Sequence, residues 1–377
     1  MREIQAIAIA LCLVAFMACG GGNNPSPRAT GDTVKFKYAR LLQMVSHDGY
    51  VEVNVSSPWD KGKLLQKYIL VSRDSNDLSQ LPQGTIVRVP LRRVIPFSVV
   101  HAGMMVELGA ADAIVGIADL QYVRNPFILK RCASGKISDI GNSMNPNVEK
   151  VIDAAPDAMF VSSFENAGGY GKLGGTGIPL IECADYMETT ALGRAEWMKF
   201  YGMLLGYGQV ADSLFSVVDS SYQALKALAA SSNARRSIVM DKKTGAVWYV
   251  PGGHSTIGTM LADANAVYPF SGNGDAGSLA LPFETVLEMA GDVDVWAFRY
   301  GGDEPASYGV LATEYHGYCQ MRAFREHNCY GCNVDQTRFY EETPFRPDYL
   351  LGDFVQMIHP EIKLKGGMRY YFPVVGE

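Results

Sequence analysis

Aromatic side chains recur in this 377-residue chain at the places where predicted strands end. The set is Tyr122, Phe164, Tyr170, Tyr186, Trp248, Tyr249, Tyr300, Phe339 and Tyr340. In an open α/β sheet, ligands bind outside the carboxyl ends of the strands, and aromatic faces bury a large area at little cost in entropy. The pattern therefore predicts a wide cleft for a large, flat or apolar ligand. The alternative is that most of these rings pack in the core or at its rim.

Polar side chains near these strand ends would anchor such a ligand. The predicted ligand-binding set is Ser98, His101, Tyr122, Phe164, Tyr186, Trp248, Tyr249, His254, Arg299, Tyr300, Tyr340 and Arg346. His101 and His254 each follow a predicted strand, so a zinc or manganese site shared with carboxylates is the main alternative among binding proteins. The six histidines of the chain do not cluster, which argues against that site. No resident metal or cofactor is expected.

No known catalytic motif is complete in the sequence. Gly168 to Lys172 is rich in glycine, but its spacing is not that of a phosphate-binding loop, and no G-x-S-x-G motif occurs. The turn from Pro251 to Thr256 opens a predicted helix, where backbone N–H groups could hold an anion, although such turns are more often structural. An enzyme is therefore the least favoured class. The net charge of −6, without a basic block, argues against a nucleic acid partner.

Five cysteines lie in the body of the chain, and their spacing does not determine which of them pair. They are Cys132, Cys183, Cys319, Cys329 and Cys332. Cys329 and Cys332 form a C-x-x-C pair, but neither Cys319 nor His327 stands at the spacing of a zinc finger. A structural disulfide or buried thiols are therefore favoured over a metal.

Residues 1–18 have the features of a signal peptide. The apolar run inside them is too short to span a bilayer, and the small residue Ala18 precedes Cys19, as in a lipobox. Cys19 is the predicted lipidation site, with simple cleavage near Ala18 as the alternative. Residues 19–33 read as a flexible tether. The protein is therefore expected in the periplasm, anchored to a membrane by lipid.

One long helix, predicted for residues 209–231, separates two runs of alternating strands and helices. Its apolar residues follow the spacing of a single helix face, and its length would be roughly 35 Å. The sequence therefore predicts an α/β fold with two Rossmann-like lobes, residues 34–208 and 232–377, joined by a rigid rod. The alternative is a surface helix in one large α/β domain.

The first lobe opens with a different pattern over residues 34–90, where apolar and polar residues alternate. Period-two alternation indicates strands, and Asp48-Gly49 and Gln83-Gly84 are turn signals. We therefore expect an antiparallel meander there.

An internal repeat supports two related lobes. Residues 146–161 and 282–296 each read as a short helix, a turn and a strand, and they align without a gap from Glu149 and Glu284 onward. A chance match is the alternative, but the symmetric placement about the long helix favours duplication.

From about residue 90 to 377, the chain resembles the class III periplasmic binding proteins of ABC importers. The resemblance rests on the lipoprotein signal, the two similar lobes with their long helix, and the run RVIPFSVVHAGMMVELGAADAIVGIADLQYV. Two further stretches, IECADYMETTALGRAEWMKFYG and VWYVPGGHSTIG, resemble versions from the Bacteroidota. The opening meander departs from the shortest family members.

The resemblance implies a function as well as a fold. This group binds iron–siderophore complexes, haem or cobalamin between the lobes, and delivers them to a permease with its ATPase subunit. In the family, one glutamate on each lobe docks onto arginines of the permease, and the matching positions are Glu149 and Glu284. A monomer that binds one ligand molecule is expected. The alternatives are a zinc or manganese transport protein and, less favoured, an enzyme on the same lobed fold.

Overall fold

The computed structural model describes residues 32–165 and 170–376 of the chain. The predicted signal peptide and Cys19 lie outside these residues. The strands in the described part are β1 (Asp32–Val34), β2 (Leu42–His47), β3 (Tyr50–Ser56), β4 (Leu64–Ser72), β5 (Thr85–Val89), β6 (Val94–Pro96), β7 (Gly116–Ile117), β8 (Ser138–Asp139), β9 (Gly141–Asn142), β10 (Asn145–Pro146), β11 (Ala158–Ser162), β12 (Leu180–Cys183), β13 (Ile238–Met240), β14 (Lys243–Thr244), β15 (Val247–Pro251), β16 (Ser278–Leu281), β17 (Val295–Tyr300), β18 (Cys329–Asn333) and β19 (Phe372–Pro373).

The α-helices in the same residues are α1 (Val99–Glu107), α2 (Pro126–Ala133), α3 (Val148–Asp153), α4 (Ala191–Glu196), α5 (Met198–Leu205), α6 (Gly208–Ser231), α7 (Thr256–Asp263), α8 (Phe283–Ala290), α9 (Tyr308–Glu314), α10 (Arg322–Arg325), α11 (Phe339–Glu342) and α12 (Pro347–Ile358). Short 3₁₀ helices lie at Ala111–Ala113, Leu120–Tyr122, Gly174–Thr176, Asp185–Met187 and His316–Gln320.

A parallel sheet forms the centre of the first lobe. Its strand order is β12-β11-β6, and β11 runs parallel to both neighbours. Strand β6 and most of β11 are buried on both faces, which explains their uninterrupted apolar sequence. Helix α1 follows β6 and begins at Ser98, whose side chain accepts a hydrogen bond from the N–H of Val100.

The second lobe repeats this plan. Its sheet has the order β13-β17-β18-β19, in which β17 runs parallel to β13 and β18. Strand β17 therefore occupies the central place that β11 has in the first lobe, and the short helices α8 and α3 lead into the two strands. This is the correspondence that the internal repeat predicted. A separate antiparallel sheet, β14-β15-β16, packs beside the parallel one.

Helix α6 carries the chain from the first lobe to the second and begins one residue earlier than predicted. It packs on α5 in the first lobe and on α7 and α12 in the second. Asp219 accepts a hydrogen bond from the hydroxyl of Tyr38 at 2.7 Å, and the hydroxyl of Tyr222 donates to Asp263 at 2.8 Å. The helix is therefore bonded to both lobes. Its buried residues recur along one face: Ala211, Phe215, Val218, Tyr222 and Ala229.

A five-stranded sheet of order β1-β2-β3-β4-β5 precedes the first parallel sheet. Strands β1 to β4 pair antiparallel, and the chain turns between β2 and β3 at Asp48 and Gly49, where the sequence predicted a turn. The prediction of an antiparallel meander was wrong for the last pair, because β4 and β5 are parallel. Residues 73–84 form the connection between them, and Gln83-Gly84 lies at its end rather than in a hairpin.

Two buried glutamates fasten the segment between β1 and β2 to the first lobe. Glu196 accepts hydrogen bonds from the backbone N–H groups of residues 37–39, at 2.7 to 2.9 Å. Glu188 accepts from the backbone N–H groups of residues 40 and 41, both at 2.9 Å. Two carboxylates therefore satisfy five consecutive backbone donors, which suits acceptor-only groups that water does not reach.

The two lobes also touch each other directly. Glu341, on α11 of the second lobe, accepts hydrogen bonds from the backbone N–H groups of Arg124 and Asn125 in the first, at 2.7 and 3.0 Å. Arg124 also pairs with Asp335 at 2.5 Å. At the crossing of α1 and α11, a Cβ on Gly103 would lie 2.2 Å from the carbonyl oxygen of Glu341. Glycine is therefore required at this contact between the lobes.

Candidate functional site

A cavity of about 320 Å³ lies at the carboxyl edge of the first lobe's parallel sheet, where β6, β11 and β12 end. We call it the N-lobe pocket. Its lining residues are Ser98, Val100, His101, Ser162, Ser163, Phe164, Asp185, Tyr186 and Arg194. Four members of the predicted ligand-binding set meet there: Ser98, His101, Phe164 and Tyr186.

Asp185 organises the polar wall of the N-lobe pocket. Its buried carboxylate lies 2.9 Å from Nε2 of His101, and it accepts hydrogen bonds from the Tyr201 hydroxyl at 2.8 Å and from Nε of Arg194 at 3.0 Å. Burial raises the pKa of Asp185, but His101, Arg194 and Tyr201 together outweigh burial and lower this pKa to about 2. Asp185 is therefore ionised at neutral pH and holds the side chain of Arg194 at the pocket.

A larger cavity, of about 760 Å³, adjoins the N-lobe pocket, since Ser162 and Phe164 line both. We call it the α3 cavity, because residues 147–149 at the start of α3 form one of its walls. The rings of Phe164 and Tyr170 meet edge to face at 6.3 Å between their centres. Its remaining lining residues are Phe97, Ser143, Met144, Asn145, Pro146, Val161, Gly171, Lys172 and Leu173.

A third cavity, of about 590 Å³, lies in the second lobe at the ends of β17 and β18. Tyr300 is the member of the predicted set that lines it. The buried carboxylate of Glu342 lies 2.5 Å from Nη2 of Arg338 and accepts from Nε of Arg369 at 2.9 Å. Burial raises the pKa of Glu342, but the neighbouring Arg369, Tyr370 and Arg338 outweigh burial and lower it. This C-lobe cavity therefore has two arginines around one carboxylate.

The two arginines that the sequence assigned to ligand anions are already paired. Nε and Nη2 of Arg299 both donate to Asp241 at 2.8 Å. Arg346 donates to Asp348 at 3.0 and 2.9 Å, and its guanidinium lies 3.6 Å from the ring centre of Tyr349. Arg346 is also buried. The prediction that Arg346 meets a ligand is therefore wrong for this structure, whereas Arg299 keeps part of its side chain exposed.

Trp248 is a core residue. Its exposed fraction is 0%, its indole N–H donates to the carbonyl of Met240 at 2.9 Å, and its ring packs against Trp296. Because side chains alternate along a strand, Trp248 points into the core and the next residue, Tyr249, is exposed. The prediction that Trp248 lines a ligand cleft is therefore wrong.

Four other members of the predicted set lie on the surface, and none of them lines one of the three cavities. They are Tyr122, Tyr249, His254 and Tyr340. The structure thus brings together four predicted residues in the first lobe and leaves those of the second lobe dispersed.

The turn from Pro251 to Thr256 is packed against a neighbouring loop. A Cβ on Gly252 would lie 2.3 Å from the carbonyl oxygen of Asp275, so the glycine permits this close approach. The backbone N–H of Gly252 donates to Gly277 and that of His254 to Asp275. These two donors are therefore unavailable to an anion.

Metal ligands do not assemble in residues 32–165 and 170–376, which contain no group of three or more His, Cys, Asp or Glu side chains that could hold a metal ion. The five cysteines of this part are free thiols. Cys329 and Cys332 are buried in β18, and burial raises the pKa of each thiol to about 12. Of the two interpretations of this pair, the structure shows buried thiols. Among the described helices, none is both long and apolar enough to cross a membrane.

Comparison with known proteins identifies the family. The model of the periplasmic binding protein family matches residues 100–335, which is more than half of the chain. The chain belongs to the periplasmic binding protein family. An uncharacterized lipoprotein of Methanocaldococcus jannaschii is 26% identical over 414 residues, an alignment that covers 99% of this chain and 96% of that protein.

Solved structures show the same fold. A periplasmic heme binding protein from Pseudomonas aeruginosa matches with a TM-score of 0.57 at 14% identity, covering 74% of this chain and 97% of that one. A periplasmic vitamin B12 binding protein from Vibrio cholerae matches with a TM-score of 0.52 at 16% identity, covering 71% and 96%. The predicted fold of two α/β lobes joined by one long helix, as in class III periplasmic binding proteins, is thereby confirmed.

In this periplasmic binding protein, Glu149 and Glu284 occupy equivalent places. Each is the second residue of its helix, after the caps Asn147 and Pro282, and each is exposed. Helix α3 returns into β11, and α8 into β17, through a short turn. The start of each helix therefore lies at the carboxyl edge of its lobe's sheet, and Glu149 itself lines the α3 cavity.

Sequence reasoning missed Asp185 and Arg194. Asp185 comes two residues after the end of β12, so the strand-end rule would have found it if polar residues had been considered together with aromatic ones. Arg194 lies nine residues further on, in α4, and only the fold brings its guanidinium back to Asp185. No local pattern marks that return.

Proposed function

We propose that this periplasmic binding protein is the lipid-anchored substrate-binding component of an ABC importer. In this proposal Cys19 carries the lipid, and the cleft between the lobes captures an iron–siderophore complex, haem or cobalamin. An inner-membrane permease, powered by its ATPase subunit, then receives the cargo. The family match, the lipoprotein relative and the ligands named for the two solved structures support this assignment.

The observation that carries the proposal is the matched pair Glu149 and Glu284. Two exposed carboxylates hold the same helical position in two repeated units, although neither has a structural partner among the described residues. Each stands at the edge of its lobe where the parallel strands end. A permease surface with two arginines could bind both by charge-assisted hydrogen bonds.

The cavities agree in size with a ligand larger than a bare ion. The α3 cavity and the C-lobe cavity measure about 760 and 590 Å³, within the range of roughly 300–1,000 Å³ typical of small-molecule sites. Phe164, Tyr170 and Tyr300 supply aromatic surface to them.

The test separates docking from ligand binding. Cells in which the Glu149→Ala, Glu284→Ala double variant replaces the native chain are assayed for uptake of radiolabelled haem, a ferric siderophore and cobalamin. The purified variant is titrated with haemin, the same siderophore and cyanocobalamin by absorbance. We expect uptake of the cognate ligand to be lost even at concentrations that saturate the purified variant, so that a change in affinity caused by Glu149, which lines the α3 cavity, does not account for the loss.

The matched control is the Asp153→Ala, Glu288→Ala double variant. These residues are exposed, lie on the same two helices and correspond to each other in the repeat. The control should transport normally. Normal uptake by the Glu149 and Glu284 variant would refute the docking role, and tight binding of Zn²⁺ or Mn²⁺ with no binding of the three chelates would replace the proposed ligand class.

A further inference from the structure

Arg194 presents unused hydrogen-bond donors at the N-lobe pocket. Its side chain is 24% exposed, and its Nε donates to Asp185 at 3.0 Å. Within the described residues, neither terminal nitrogen of this guanidinium finds an acceptor. A guanidinium has five N–H donors in a rigid fork that matches a carboxylate or phosphate. Four of the five are therefore free beside an open cavity.

His101 provides a second, independent indication that the N-lobe pocket receives a polar group of a ligand. The ring is 2% exposed and forms part of the pocket wall, and its Nε2 is engaged with Asp185. Its other nitrogen, Nδ1, is buried and has no partner among the described residues. A buried polar atom without a partner costs free energy, and Nδ1 of His101 is such an atom in the wall of the pocket.

Asp185 leaves the terminal nitrogens of Arg194 free to donate to a ligand, because both oxygens of its carboxylate are already occupied. Oδ1 faces His101 and the Tyr201 hydroxyl, and Oδ2 accepts from Arg194. The carboxylate thus acts as a support that fixes the arginine, in the way that a partner behind a ligand-binding group fixes its orientation.

The surroundings suit one end of a larger molecule. About 320 Å³ is at the lower limit for a whole small-molecule site, but the pocket shares Ser162 and Phe164 with the larger α3 cavity. The exposed rings of Phe164 and Tyr186 and the hydroxyl groups of Ser98 and Ser163 complete the wall.

We propose that the N-lobe pocket binds a carboxylate group of the cargo, with Arg194 as its principal contact. The inference rests on the proposed function and narrows it: the ligand is a chelate with a free anionic arm, rather than a neutral one. A haem propionate and a carboxylate arm of a siderophore share this chemistry, and the test distinguishes them.

The test compares Arg194→Gln with the native protein by calorimetric titration. The carboxylate-bearing probes are haemin and a ferric siderophore with free carboxylates, and the matched neutral probes are haemin dimethyl ester, a neutral ferric trihydroxamate and cyanocobalamin. We expect the cognate carboxylate-bearing probe to lose at least about tenfold in affinity, as the loss of a charge-assisted hydrogen bond implies. Whichever chelate binds identifies the source of the carboxylate.

Two controls distinguish a binding role from a structural one. Arg131→Gln removes an arginine of similar exposure that pairs with Asp112 away from the pocket, and its affinities should equal those of the native protein. Arg194→Lys keeps the charge without the fork and should recover part of the affinity. An Arg194→Gln variant that binds all probes as the native protein does, or that weakens neutral and carboxylate-bearing probes equally, overturns the proposal.

The subsite also has a test that does not need the chelates. Citrate, as a simple carboxylate, should raise the melting temperature of the native protein and not that of Arg194→Gln. If no chelate binds but citrate discriminates between the two proteins, the transport proposal falls and the carboxylate subsite stands. If citrate has the same effect on both, the subsite is refuted.

Discussion

Replacing Glu196 with glutamine should destabilise this protein far more than most single substitutions. The native carboxylate is fully buried and accepts hydrogen bonds from the backbone N–H groups of residues 37–39 and from Nζ of Lys199 at 2.8 Å. Each oxygen serves two of these donors. Glutamine keeps one acceptor oxygen, but its NH₂ group must face two donors.

The expected cost follows from those two lost acceptor contacts. Hydrogen bonds to a charged group contribute about 1.5–3 kcal/mol each, so the loss of two should lower the free energy of unfolding by roughly 3–6 kcal/mol. That is a large fraction of the roughly 5–15 kcal/mol that stabilises a folded protein. Urea unfolding followed by circular dichroism measures the loss, and limited proteolysis of the segment before β2 reports whether that segment detaches first.

The pH dependence gives a second measurement of the same contact. Burial raises the pKa of Glu196, but Lys199 and the three backbone donors outweigh burial and lower this pKa below its usual 4.5. A lowered pKa means that the stabilisation is present above about pH 4.5 and is lost as the pH falls further. The difference between native protein and variant should therefore shrink in acid.

Glu288→Gln is the control, because Glu288 is exposed on α8. We expect a change within about 0.5 kcal/mol, as for most surface substitutions. A loss below about 1 kcal/mol for Glu196→Gln, or a difference that stays constant between neutral and acidic pH, would refute the reasoning.

Two further substitutions test the lobe contact and the membrane anchor. Gly103→Ala places a Cβ 2.2 Å from the backbone oxygen of Glu341, so it should cost about 1–3 kcal/mol by overpacking. Gly309→Ala on α9 should be neutral or mildly stabilising, because beyond its own helix backbone and chain neighbours the new Cβ would meet no atom closer than 4.0 Å. Equal melting temperatures for the two variants would contradict this. Cys19→Ala should abolish incorporation of a fatty-acid analogue into the protein in its host, and unchanged labelling would exclude Cys19 as the lipidation site.

The regular periodic features of the fold could be predicted from sequence because they repeat over many residues. Helix α6 shows one apolar face over its whole length, so its bounds differ from the prediction by one residue. The repeat around Glu149 and Glu284 identified β11 and β17 as equivalent strands, since each unit encodes a complete helix, turn and strand.

The parts that failed depend on contacts between distant residues. A glycine at position 84 signals a turn, but it does not specify which strand β5 pairs with or in which direction. That pairing, which is parallel to β4, depends on the packing of the whole sheet. For Trp248 the predicted strand was correct, but the predicted orientation of the side chain was not. Side chains alternate along a strand, so a shift of one residue exchanges the buried and the exposed positions. Arg346 was predicted to contact a ligand. No sequence pattern indicates that Asp348 and Tyr349 are its partners in the folded protein.

The contacts between the lobes bear on how a cargo would be recognised. Glu341 spans the two lobes through the N–H groups of Arg124 and Asn125, and α6 is hydrogen-bonded on both sides. A lobe that moved away would leave the buried carboxylate of Glu341 without its donors, and that loss would cost free energy for each unsatisfied group. We therefore expect the cavities to be largely preformed, so that little of the binding free energy is spent on closing the lobes. Selectivity between chelates then depends on fixed groups at the strand ends, which is why the free donors of Arg194 matter more than the number of aromatic rings.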